Sequence, residues 1–131
     1  MISCYCDDGP TPSIYDVRVY RAKKQHVCEE CSRKIQKGEL YERVFGVWEG
    51  RPEVFRSCEH CRDLRVWVSN SVPCFCPAHG GMDQQMREAV EEATWRAPDE
   101  TKGLWFGFLR RVVVRDRVKR AQRAAQDGGL A

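Results

Sequence analysis

Cys28-Glu29-Glu30-Cys31 and Cys58-Glu59-His60-Cys61 decide how this chain is read. Each is a Cys-x-x-Cys unit, the spacing that lets two sulfurs on one turn reach a single ion at about 2.3 Å, and two such units complete a tetrahedron of four thiolates. Between them, Leu40-Tyr41-Glu42-Arg43-Val44-Phe45 and Val54-Phe55-Arg56 have the composition and alternation of strands, separated by a turn at Glu49-Gly50-Arg51-Pro52. A β-hairpin there carries the second pair back onto the first. After the second pair, Cys61, Leu64 and Val68 recur at helical spacing. The second pair therefore sits at a helix start, where the positive end of the helix dipole faces anionic sulfur.

Outside this segment, the turn-rich Asp7-Asp8-Gly9-Pro10-Thr11-Pro12-Ser13 leads into the alternating Tyr15-Asp16-Val17-Arg18-Val19-Tyr20, a short strand. Pro73 ends the first helix, and Cys74-Phe75-Cys76-Pro77-Ala78-His79-Gly80-Gly81 reads as an irregular loop. Apolar residues at Met82, Met86, Ala89, Val90 and Ala93 predict a helix from Met82 to Trp95, capped by Asp83. Ala97-Pro98-Asp99-Glu100 interrupts it, and a third helical pattern runs from Leu104 to about Gln126, ahead of Gly128-Gly129. Trp95, Trp105, Phe106 and Phe108 are expected to pack the last helices against the cysteine module, because a small domain needs its large side chains buried. The expected fold is thus a small α+β zinc-binding domain over residues 1–97, with a basic C-terminal helix over 98–131 packed on it and a short disordered tail.

Four further cysteines form two Cys-x-Cys units, Cys4 with Cys6 and Cys74 with Cys76. They are expected to make a second Cys₄ site, so that the chain holds one or two zinc ions. His79 competes as a ligand, since Cys74-x-Cys76-x-x-His79 supplies three donors. His60, lying between two ligands, is expected to point away from the ion, and His26 is read as a partly exposed hairpin residue. A disulfide framework is the rival reading and requires an oxidising compartment. Met1-Ile2-Ser3-Cys4-Tyr5-Cys6 lacks the basic and apolar regions of a secretory signal, and no apolar run reaches the roughly 18 residues that cross a bilayer. The expectation is a cytoplasmic protein without membrane partners.

A zinc ion enclosed by four thiolates has no open position at which to activate water, so its role is to fold the chain. Zinc deaminases carry His-x-Glu with Pro-Cys-x-x-Cys, whereas Pro73-Cys74-Phe75-Cys76 has a different spacing and no His-x-Glu occurs. Neither a phosphate loop, a nucleophile elbow nor His-Glu-x-x-His is present. The chain is therefore expected to bind rather than catalyse, and no small-molecule substrate is evident.

The order of knuckle, hairpin and helix resembles a treble-clef zinc finger. In addition, the run from Cys28 to Arg43, Gly46-Val47-Trp48-Glu49-Gly50, Phe55-Arg56-Ser57-Cys58-Glu59-His60-Cys61, Val72-Pro73-Cys74-Phe75-Cys76-Pro77-Ala78-His79-Gly80 and Gly103-Leu104-Trp105-Phe106-Gly107 resemble a family of small cysteine-rich proteins encoded by bacteriophages and prophages. That resemblance covers most of the chain and implies a phage protein acting in a bacterial host cytoplasm; it implies no reaction. The first knuckle is also similar to the opening of LIM modules, which place a histidine nearer the first pair than Cys58 lies here.

Arg110, Arg111, Arg115, Arg117, Lys119, Arg120 and Arg123 are offset only by Asp116, in a chain of net charge +3. Such a helix fits phosphate binding, an acidic protein partner, or a solvated face. Trp48, beside the predicted hairpin tip, is a further candidate anchor for a partner. The expected function is a zinc-stabilised accessory protein that binds nucleic acid or a host nucleoprotein complex. The alternative is a protein–protein inhibitor or adaptor acting on a bacterial defence or transcription enzyme; a metal-dependent enzyme ranks third.

Overall fold

The computed structural model describes residues 12–75 and 79–128. Its elements follow in the order β1 (Ile14–Arg21), β2 (His26–Val27), β3 (Lys34–Ile35), β4 (Leu40–Trp48), β5 (Arg51–Cys58), α1 (Glu59–Ser71), α2 (Met82–Arg96) and α3 (Leu104–Gly128). β1, β4 and β5 form an antiparallel sheet with β4 in the middle, and β2 and β3 form a separate short ribbon. The result is a small α+β fold.

The β4–β5 hairpin turns through Glu49 and Gly50, both with positive φ (52° and 77°). Two successive left-handed residues match the twist of the flanking strands, and Trp48 pairs with Arg51 across the turn. Pro52 sits in β5 at the sheet edge, where its missing N–H costs no ladder bond.

Two apolar clusters hold the chain together. Ala22, Ile35 and Tyr41 enclose the cysteines Cys28, Cys31, Cys58 and Cys61. Leu64, Val68, Val72, Met82, Met86, Val90, Ala93, Leu104, Phe108 and Val112 form a helical core shared by α1, α2 and α3. α1 spans both: Cys61 belongs to the first cluster while Leu64 and Val68 belong to the second, so the stripe read from the sequence joins the two.

The packing departs from expectation at particular residues. Trp95 is 83% exposed and Phe106 68% exposed, so neither packs the helices together; Phe108 is buried and Trp105 lies against the helical core. α2 is preceded by Gly81 with no side-chain cap, because Asp83 instead pairs with Arg115 of α3. Trp48 does not project from the hairpin tip. Its ring lies over Gly46, where an added Cβ would collide with it, and packs edge-on against Tyr15 and Phe55.

Candidate metal centre and basic helix

Residues 28–33 make a tight knuckle. The N–H of Cys28 donates to the carbonyl of Arg33 (2.8 Å) and that of Ser32 to the carbonyl of Cys28 (2.9 Å). Ser32 takes a left-handed φ of 65°, which turns the chain and aims both sulfurs inward. The N–H of Glu29 donates to the carbonyl of Arg56 (2.8 Å), tying the knuckle to the strand that delivers Cys58. Cys58 precedes the first residue of α1, and Cys61 lies in its first turn, next to the unpaired N–H groups of the helix.

These four sulfurs converge. All lie within 4.8 Å of one another, and all four residues are buried and free of disulfides. A tetrahedral ion held at about 2.3 Å separates its sulfurs by roughly 3.8 Å, and Cys31 Sγ lies 3.8 Å from Cys58 Sγ. The donor set therefore fits a metal ion, and soft, buried sulfur suits zinc. The backbone N–H of Cys58 donates to Cys28 Sγ (3.3 Å), one of the amide contacts that steady a thiolate. Mutual hydrogen bonding divides the acidities. The thiol of Cys31 holds Cys28 down to about 7, and Cys28 and Cys31 together hold Cys58 far below the ordinary thiol range. The same contacts, led by Cys28, push Cys31 and Cys61 up.

Four thiolates around a divalent ion carry excess negative charge, and Arg33 lies beside them. It is buried, and its guanidinium pairs with Glu39 through Nη2–Oε2 at 2.6 Å. Burial alone would lower its pKa, but Glu39 and the sulfur of Cys58 outweigh that and hold it above its usual value. Glu39 also accepts from the N–H of Gln36 (3.2 Å). Arg33 was not singled out by sequence reasoning; a basic residue two positions past a ligand cysteine was the available signal. Glu30 was missed as well: from inside the first cysteine pair it accepts from the N–H groups of Gly80 (2.6 Å) and Met82 (3.0 Å), fastening the knuckle to the start of α2.

The outer cysteines are placed differently. Cys4, Cys6 and Cys76 lie outside the described residues, and Cys74 is half-buried and not a free thiol. His79 is not part of the four-sulfur cluster. Its Nε2 shares a hydrogen bond with the Tyr15 hydroxyl (2.9 Å), its ring stacks on Phe55, and burial holds its pKa below the ordinary value. His26 and His60 are both half-buried and outside the cluster.

The basic residues of α3 do not form one stripe. At about 100° per residue, Arg115 shares the inward face with Leu104, Phe108 and Val112; it is 5% exposed and paired with Asp83 and Asp116. It is thereby corrected from a partner-binding residue to a buried tie between α3 and α2. Burial opposes its charge, but these carboxylates outweigh that and raise its pKa. Arg111 covers the Trp67 ring at 4.2 Å and bonds the carbonyl of Gly107. Lys119 is half-buried on the side of Gln122, whose amide pairs with both the N–H and the carbonyl of Lys34 and so docks α3 on β3. That leaves Arg110, Arg117 and Arg120 on the outward face, with Phe106 and Val113 in line and Arg123 alongside, all exposed. Among the described residues no helix is long and apolar enough to cross a membrane. No protein-family model, curated protein or solved structure matches this chain.

Proposed function

We propose that the chain is a non-catalytic, zinc-stabilised protein that binds nucleic acid, alone or within a nucleoprotein complex, through the outward face of α3. The metal half of this reading rests on one observation: four buried sulfurs and, among the described residues, no other ligating group face a common centre. Such a set saturates a tetrahedral ion, leaving no position for water and assigning the ion to folding rather than chemistry. The sequence of knuckle, β4–β5 hairpin and α1 then follows the plan of a treble-clef finger. The resemblance to small phage proteins would set this work in a bacterial host cytoplasm.

Support for the binding half comes from Arg110, Arg117, Arg120 and Arg123, which are exposed and, unlike Arg115, form no ion pair with a carboxylate among the described residues. Exposed Phe106 in the same line offers a stacking surface of the kind that accompanies cations in sequence-tolerant binding. The test is an affinity measurement against single- and double-stranded nucleic acid over a salt series. Arg110→Glu, Arg117→Glu and Arg120→Glu together should abolish binding, and the wild-type affinity should fall steeply with salt. Absence of binding at low salt would overturn this reading. It would favour a protein inhibitor or adaptor instead, a role for which the exposed Trp95 and Phe106 are apt anchors.

A further inference from the structure

We infer that the chain self-associates through β1, which pairs antiparallel with β1 of a second copy about a two-fold axis at Val17. β1 is eight residues long and lies at the edge of its sheet, with no second neighbour among the described residues. The opposite edge is managed: β5 carries Pro52 and is held at Arg56 by the knuckle. Of the devices that usually blunt an edge, β1 carries charged side chains only. It contains no proline, glycine or lysine, and Ile14, Tyr15, Val17, Val19 and Tyr20 are all exposed apolar or aromatic side chains.

The backbone fixes which residues are available. Ala22 lies opposite Glu39 by continuation of the β1–β4 register and donates its N–H to the Glu39 carbonyl (2.8 Å). Antiparallel ladders alternate, so Ile14, Asp16, Arg18 and Tyr20 turn their peptide groups towards β4. Tyr15, Val17 and Val19 turn theirs to the free edge. A second β1 must therefore pair through these odd-numbered residues.

Of the symmetric registers this parity allows, the one centred on Val17 suits the side chains best. With Val17 opposite Val17 of the second copy, Tyr15 faces Val19 and Asp16 faces Arg18, each pair occurring twice. Aromatic–β-branched and opposite-charge pairs are the favourable cross-strand combinations, and the charged pairs fall at the closer, non-hydrogen-bonded positions. Moving the axis to Arg18 sets Arg18 against Arg18, and moving it to Asp16 sets Asp16 against Asp16. Charge thus favours Val17 over the neighbouring axes, those at Tyr15 and Val19 pair less of the strand and forfeit the Asp16–Arg18 pairs, and the two three-stranded sheets become one continuous sheet. Asp16 and Arg18 now pair with each other within the strand (2.9 Å), half-exposed or more, and are free to exchange partners.

Sedimentation of the full, metal-loaded chain in reducing buffer tests this. The wild type should reach twice the 15.2 kDa chain mass. Asp16→Arg alone sets arginine against arginine, and Arg18→Asp alone sets aspartate against aspartate. Each should weaken self-association about ten- to a hundredfold. An equimolar mixture of the two variants restores every opposite-charge pair between chains, and should recover the dimer. Neither variant keeps the intrachain pair, so recovery reports contact between copies only. A wild type that stays monomeric, variants that dimerise undiminished, or a mixture that fails to recover would each overturn the inference.

Discussion

Glu42 offers the sharpest energetic test of how the sheet is joined to α1. Its carboxylate, 3% exposed, sits on β4 and accepts from Arg65 at 2.5 and 2.6 Å, with Arg62 at 3.3 Å. Arg65 is itself only 17% exposed, whereas Arg62 is 41% exposed. Glu42→Gln keeps the shape but removes the charge and turns an amide donor towards guanidinium donors. Breaking a buried pair by removing one partner costs about 3–5 kcal/mol. Because Arg65 keeps some solvent, we expect a loss of about 2–4 kcal/mol. Removing both partners, in Glu42→Leu with Arg65→Met, should return the chain to within about 1 kcal/mol of wild type, since the desolvated charge is gone as well. Urea unfolding at fixed zinc concentration reads both values. A Glu42→Gln loss under about 0.5 kcal/mol would mean that Arg65 is hydrated in solution, refuting the buried contact between α1 and β4.

Gly46→Ala should cost about 1–3 kcal/mol in the same assay, because the new methyl occupies the seat of the Trp48 ring; the cost should shrink in a Trp48→Leu background. His79 gives a pH signature. Burial, aided by the Arg65 charge, holds the folded imidazole below its ordinary 6.5, so the unfolded chain binds more protons in that range. Its contribution is fully present above about pH 6.5 and is lost as the pH falls towards the folded value. His79→Gln should therefore lose less stability than wild type between about pH 7 and about pH 5, as read by urea midpoints.

The parts legible in the sequence are those with short-range signatures. Two Cys-x-x-Cys units, the Glu49-Gly50 turn and the Cys61–Leu64–Val68 spacing each encode local geometry, and together they place the sulfurs. What escaped depends on distant neighbours. Arg115 looks like a surface cation until Asp83, 32 residues away, is brought against it. Gln122 looks like a solvated residue until its amide meets the backbone of Lys34. With Arg115 and Gln122 on its inward side, α3 has no clean apolar face, so periodicity could not separate docked cations from free ones. Trp48 was read as projecting because Gly46, two residues back on the same strand face, leaves room that a side chain would have filled. Among the described residues Trp95 and Phe106 stay exposed, which the packing of the helices does not explain.

The proposed role of Cys28, Cys31, Cys58 and Cys61 is to hold a metal ion without which the chain does not fold. The most direct measurement is circular dichroism and tryptophan emission of the full chain while a strong chelator removes all metal in reducing buffer, with metal content followed in parallel. Structural zinc supplies about 10–16 kcal/mol of apparent binding energy in small modules, comparable with a whole domain's stability. We therefore expect cooperative loss of the fold as the last zinc leaves, reversed by zinc but not by magnesium. A metal-free chain that keeps its helicity and tryptophan environment would contradict the account.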